Sequence, residues 1–413
     1  MSEPADRGRL VGRRGLVASV GVLAGAAALS GCTRGQEAAA PAVASRPPVP
    51  EPLPTRSFHG ARQAGVGDAP QAFLTLVALD LTEGADADTI RRLMTVLSDD
   101  IERLMSGRGT LTDVEPELAT RPSELTVTVG WGPGAFAAAG TAPPSWLGPL
   151  PEFSIAALED RWSGGALVLQ VCGQSPVVVA HAGRRLVTGA TPMAHQRWVQ
   201  RGFREPHLAP GETMRNLFGQ LDGTVNPQVG TAEEDSVIWD DGTGWRAHAS
   251  AMVVRRIAMD LDRWDRADRV AREHTIGRRL DTGAPLTGGD EHSPPDLTAV
   301  DEIGLPVIDT FSHMRRSMPQ SPQERFLRRP YNYDDPPQDG SVSSSGLIFI
   351  AFCADPVRQF VPVQQRLAEA DLLNLYTTPI GSAVFAVLPG CAPGEVLGGN
   401  LIATYEMREK PRD

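Results

Sequence analysis

Between residues 88 and 107 the apolar side chains Ile90, Leu93, Met94, Leu97, Ile101, Leu104 and Met105 recur at helical spacing, with polar residues between them. One face of such a helix must be buried, and the strand-like runs on either side offer a sheet to bury it. Asp86 or Asp88 can cap its start, and Gly107 stands where a helix ends. Residues 72–81, Ala-Phe-Leu-Thr-Leu-Val-Ala-Leu-Asp-Leu, predict a strand, as do 125–130 and 166–171. A second helix is expected over 176–187, begun by Ser175, and an extended segment over 191–199. Strand, helix, strand, strand, helix, strand is the order of a ferredoxin-like unit.

The pattern starts again at 250–260, Ser-Ala-Met-Val-Val-Arg-Arg-Ile-Ala-Met-Asp, a strand followed by a helix at 264–274. Strand 346–353, helix 355–373 and strand 383–388 complete most of a second unit. Within it, residues 276–345 are rich in glycine, proline and aspartate. A structureless connection of that length inside a compact domain is disordered or functional. Because this one carries His313 and several arginines, we read it as wrapping a ligand. The expected fold class is α+β, with two ferredoxin-like units of antiparallel sheet and packed helices at 58–213 and 214–413.

Composition narrows the partners. With 413 residues, 41% hydrophobic and 22% charged, the chain can bury two sizeable cores. A net charge of −11 argues against nucleic acid, whose phosphates demand clustered lysine and arginine. Cys32, Cys172, Cys353 and Cys391 lie far apart with no Cys-x-x-Cys pair, which excludes the common zinc and redox signatures. At the N-terminus, Arg7, Arg9 and Arg13-Arg14 precede a weakly apolar run to Leu29, the layout of a twin-arginine export signal. Leu29-Ser30-Gly31-Cys32 resembles a lipoprotein box, so residues 1–32 read as a signal and Cys32 as a lipid anchor, the sole expected membrane contact. Cleavage after Ala42-Val43-Ala44, leaving a soluble secreted chain, is the alternative. Residues 33–57 are too rich in proline and alanine to bury a core and read as a disordered tether. Oligomeric state is left open, a homo-oligomer included.

Three motifs carry chemistry. Residues 214–227, Met-Arg-Asn-Leu-Phe-Gly-Gln-Leu-Asp-Gly-Thr-Val-Asn-Pro, hold Asp222 in a Gly-x-x-Asp-Gly loop bounded by Gly219 and Gly223. Backbone there can turn sharply and approach a ligand, although alone the motif is also ordinary turn chemistry. Downstream lie Ser312-His313-Met314-Arg315-Arg316 and Glu324-Arg325-Phe326-Leu327-Arg328-Arg329-Pro330-Tyr331-Asn332-Tyr333. In this order the three resemble the haem-site motifs of the dye-decolourising peroxidase family. Residues 58–65, 126–134, 278–286 and 368–376 look like its exported, deferrochelatase/peroxidase-like branch, so the resemblance runs from about Phe58 to the C-terminus.

That resemblance implies two ferredoxin-like units, with haem b in the C-terminal one. It gives His313 the role of axial iron ligand and Asp371 that of the acid holding its other nitrogen. Cleaving hydrogen peroxide needs a base to move a proton between its oxygens and a fixed positive charge for the departing hydroxide. The resemblance assigns these to Asp222 and Arg328, with Arg329 as the alternative distal cation if Arg328 pairs a haem propionate. Gly219, Gly223, Arg328 and Arg329 are therefore expected cofactor contacts. Read without the family, His313 is one of eight histidines, Asp371 a carboxylate beside Glu369, and the arginines a basic run.

The chain departs from the family pattern at Gln220-Leu221, at Pro330 and at Ser317-Met318-Pro319. None of these removes a ligand, base or charge, but Pro330 removes a backbone donor and fixes φ beside the arginines. Trp239, Trp245, Tyr331 and Tyr333 are candidate surface sites for oxidising bulky dyes. The expected function is a haem peroxidase in which hydrogen peroxide oxidises a small phenolic or dye-like organic reductant by one-electron steps. The alternative is an exported haem-binding or iron-uptake protein with little turnover.

Overall fold

The computed structural model describes residues 53–402 except 122, 207, 209, 210, 338 and 339. The expected signal, Cys32 and the tether up to residue 52 lie outside the described residues. In chain order the first half holds β1 (Phe73–Leu81), α1 (Ala87–Met105), β2 (Thr126–Trp131), α2 (Pro133–Ala138), β3 (Leu167–Gly173), α3 (Pro176–Ala190) and β4 (Ala194–Phe203). The second holds α4 (Ala232–Ile238), β5 (Ser250–Met259), α5 (Leu261–Arg266), α6 (Arg269–Ile276) and α7 (His313–Ser317). It continues with β6 (Leu327–Arg328), β7 (Tyr331–Asp335), β8 (Ser344–Cys353), α8 (Pro356–Glu369) and β9 (Thr377–Val387).

The stripe on α1 is buried as its spacing requires, with Ile90, Leu93, Met94, Leu97 and Ile101 at 0% exposure. Asp86 caps the helix by accepting the Thr89 N–H at 2.9 Å. At the other end Gly107 takes φ +73°, which lets the Arg108 N–H reach the Arg103 carbonyl at 2.8 Å. Three polar residues on this helix are also buried, Thr89, Ser98 and Asp100, and only the last is ionisable. Asp100 lies against α3 at Gly189, and burial, with Asp99 adding to it, pushes its carboxyl up to about 6 against the opposing charges of Arg185 and Arg103. The fold thus favours the protonated acid: that contribution is complete below the ordinary value of 3.8 and is lost as pH rises through about 6. Asp100→Asn is expected to stabilise the protein at pH 7 by on the order of 1–2 kcal/mol, the gain fading below about pH 4. Thermal melts of both proteins across that range check it.

Within the first half the strands run β4-β1-β3-β2, and within the second β9-β5-β8-β7, every pairing antiparallel. Both are the ferredoxin-like order, in which the first strand of a unit lies between its third and fourth. The halves then join at both ends. β2 pairs β9 through Gly130↔Val387 and Trp131↔Ala386, and β4 meets β7 at Phe203↔Asn332. These strands close into a ring, which leaves none of them as a free edge. Side chains alternate across it. Leu76, Val168, Val254, Ile348 and Phe385 fill the interior, while α1 and α3 cover the outer face of the first half. The outer face of the second half carries Met259 and Leu347 against Phe218, Trp264 and Leu373.

Several elements differ from expectation. Residues 276–345 contain β6 and β7, so the segment read as a ligand wrap supplies the strand missing from the second unit. β6 and β7 lie on the same edge of β8, interrupted at Pro330, which has no N–H for the ladder. The helix expected at 264–274 is two helices, because Asp268 caps a fresh start by accepting the Ala271 N–H at 2.8 Å. The helix expected at 355–373 stops at Glu369, and Asp371 opens a separate short turn. Among the described residues no helix is long and apolar enough to cross a membrane.

Candidate active site

On the outer face of the second half lies a cavity of about 310 Å³. Ile257, Met259, Leu347 and Phe349 form its floor on β5 and β8, and Met314, Val363 and Leu367 wall it from α7 and α8. Its polar lining includes His313 from α7, Asp222 and Gly223 from the 214–227 loop, and Arg328 from β6. These groups are near enough that the charges of Asp222 and Arg328 both act on the imidazole.

His313 opens α7. Its Nδ1 lies 2.7 Å from Asp371 Oδ2, and Asp371 Oδ1 accepts the Leu373 N–H at 2.8 Å. The Phe311 carbonyl takes the Leu372 N–H at 2.9 Å, which ties the stretch before His313 to the turn that carries its carboxylate. The Asp371 side chain is 3% exposed, whereas 24% of the His313 side chain remains accessible, as suits a ring facing a cavity. Burial opposes a charge on the imidazole, but Asp371, through its charge and its hydrogen bond, outweighs it and holds the pKa above the ordinary histidine value. With Nδ1 engaged, Nε2 is the nitrogen that can ligate.

Across the site, Asp222 Oδ1 accepts from Arg328 Nη1 at 3.0 Å, with the two side chains 11% and 26% exposed. Two asparagines that the sequence did not single out set this pair. Asn216 Oδ1 accepts the Phe218 and Gln220 N–H groups at 3.1 and 3.3 Å, folding the loop so that the Asp222 N–H bonds the Met214 carbonyl. Asn226 grips the Arg328 backbone from both sides, donating to its carbonyl at 2.8 Å and accepting its N–H at 3.0 Å. Gly219 turns the loop at φ +77° but lies outside the cavity lining, with its carbonyl taken by Arg215 at 2.7 Å.

Arg329 does not reach the cavity, which corrects its expected place beside the cofactor. Arg329 follows β6 and extends its ladder by donating its N–H to the Ile350 carbonyl at 2.8 Å, so alternation points it into the ring, 1% exposed, where it donates to the Asp68 carbonyl and Gln71 Oε1, both at 2.6 Å. Burial removes three candidate surface oxidation sites. Trp239, Tyr331 and Tyr333 are 5%, 0% and 2% exposed and belong to the interior core. Trp245 is half-buried, its ring 5.5 Å from that of Phe136.

The donor set suits haem: apolar walls for a flat ring, one imidazole anchored through its far nitrogen, and a carboxylate with its guanidinium. Among the described residues no group of three or more His, Cys, Asp or Glu side chains could hold a bare metal ion, and haem iron needs no such group.

Residues 63–204 match the family model for the N-terminal part of Dyp-type peroxidases, and residues 213–392 that for the C-terminal part. The chain is 37% identical to the dye-decolorizing peroxidase of Thermobifida fusca (strain YX), over 97% of this chain and 100% of that protein. It is 30% identical to the deferrochelatase of Yersinia pseudotuberculosis serotype I (strain IP32953), over 94% of each. The crystal structure of a DyP-type peroxidase from Cellulomonas bogoriensis superposes with a TM-score of 0.82 at 49% identity, covering 84% of this chain and 98% of that one.

Proposed function

The chain belongs to the Dyp-type peroxidase family and is a haem peroxidase, and from that premise we propose that hydrogen peroxide drives its one-electron oxidation of phenolic or dye-like reductants. In this reading His313 would hold the haem iron, and Asp222 and Arg328 would handle the peroxide. Haem, when bound, would supply the redox chemistry that reduces the peroxide. Asp371 holds Nδ1, which orients Nε2 and makes it a stronger donor. Asp222 moves the proton between the peroxide oxygens through Oδ2. That oxygen is the freer one, since Oδ1 is taken by Arg328 and Oδ2 has only a 3.4 Å contact from Asn216. Arg328 keeps Asp222 in place and offers a fixed positive charge to the departing hydroxide.

The observation that supports this most is that Asp222, His313 and Arg328, from three separate stretches, line one apolar cavity. Haem-loaded protein is expected to oxidise many equivalents of a phenol per haem when peroxide is supplied. Haem binding with one equivalent or less would overturn the reading in favour of haem capture for iron uptake, which the similarity to deferrochelatase favours. We extend the proposal to twin-arginine export with a lipid on Cys32. Intact mass of the mature chain tests it: an acylated start at Cys32 supports the anchor, and an unmodified start after Ala44 replaces it with a secreted form.

A further inference from the structure

A second cavity, of about 390 Å³, adjoins the first, and Thr224, Val225, Arg278 and Pro295 line both. We propose that this second cavity binds the reductant, and that it selects neutral or cationic aromatic molecules carrying an N–H or O–H donor. The proposal rests on the peroxidase reading for the purpose of the site, though not for its occupancy.

The partition between the cavities is fixed by hydrogen bonds. Thr224 and Thr213 both donate their hydroxyls to Glu291 Oε1, at 2.9 and 2.5 Å. Arg278 Nη1 donates to the backbone carbonyls of Glu291 and Gly283, each at 2.7 Å. The 278–291 stretch is thereby stitched to the loop that carries Asp222. With haem in the first cavity, the space beside Asp222 and Arg328 suits peroxide, so a bulky aromatic needs a neighbouring place. The second cavity is that place, one residue layer away.

Its chemistry sets the selectivity. Val225 and Pro295 offer apolar surface to a ring. Glu291 has Oε1 committed to the two threonines, so a ligand donor falls to Oε2. Glu233, on the same cavity, is already paired with Arg325. Arg278 and His292 also line the cavity, but the guanidinium is buried with Nη1 spent on the two carbonyls, so the carboxylate with an uncommitted oxygen is that of Glu291. Together with a chain of net charge −11 it disfavours sulfonates. In turnover, two donor molecules each give up one electron and one proton for each hydrogen peroxide, which becomes two waters. Glu291 Oε2 takes the proton as the electron crosses the partition.

The test uses resting haem-loaded protein without peroxide and reads binding by saturation-transfer NMR. para-Phenylenediamine is the probe and para-phenolsulfonate its anionic counterpart. The diamine should bind and the sulfonate should not. Glu291→Gln, which keeps an oxygen for the two threonines, should weaken diamine binding about tenfold through loss of a charged hydrogen bond. Gln228→Trp, which fills the cavity from its exposed rim, should abolish it, and in steady state both variants should raise KM for the diamine more than they lower kcat. Diamine binding and KM unchanged in both variants would overturn the proposal, as would equal binding of the sulfonate. Wild-type protein that binds the diamine yet gives no peroxide-driven turnover would sink the functional reading instead, leaving the binding site standing.

Discussion

With Asp222 replaced by asparagine, the protein is expected to bind haem as before and to react with hydrogen peroxide about 10²–10⁴-fold more slowly. Asparagine retains an oxygen to accept from Arg328, so the 3.0 Å contact and the loop built by Asn216 can persist. What it lacks is a group that takes a proton from one peroxide oxygen and returns it to the other. Stopped-flow absorbance of the haem band against peroxide concentration gives the rate constant. An unchanged value would show that proton movement does not pass through Asp222. Arg328→Leu is the complementary case, expected to slow the same step by about 10²–10³-fold because a preorganised charge is gone.

The second large effect is on the other side. His313→Gly is expected to remove the axial nitrogen and take peroxidase turnover with it, and imidazole added to the medium should restore part of both. Asp371→Asn should fall between this and wild type, with haem affinity or activity reduced about 10–100-fold. The reason is local. Asp371 is the acceptor for His313 Nδ1 at 2.7 Å and also caps the turn at Leu373 at 2.8 Å, so its charge and its geometry serve one nitrogen. Haem titration followed by electron paramagnetic resonance distinguishes loss of the nitrogen ligand from general unfolding. Retained nitrogen ligation in His313→Gly without imidazole would exclude His313 as the ligand.

The α1 stripe, its cap at Asp86 and its end at Gly107 were legible because each depends on residues a few positions apart. Both four-strand orders follow from two repeats of a known alternation. Closure of the ring was not legible. It depends on β2 meeting β9 over two residue pairs and β4 meeting β7 over one, contacts too few and too remote to mark a sequence. Tyr331-Asn332-Tyr333-Asp334-Asp335 hid a strand because its polar end and the adjoining Arg329-Pro330 read as loop. The choice between Arg328 and Arg329 needed β6, whose ladder on β8 continues through the Arg329 N–H to the Ile350 carbonyl, since only that alternation sends one guanidinium to the cavity and the other into the core. Asn216 and Asn226 were invisible for another reason: asparagine in a Gly/Pro-rich loop is ordinary, and only contact with Asp222 and Arg328 gives these two a task.

Anomalous diffraction at the iron edge from crystals of the haem-loaded protein tests the central claim most directly, because it locates the metal without interpreting the ring. Iron bonded to His313 Nε2, with Asp222 and Arg328 facing it from the opposite side of the porphyrin, is the expected result. Iron outside this cavity, or held by any other side chain, would contradict it.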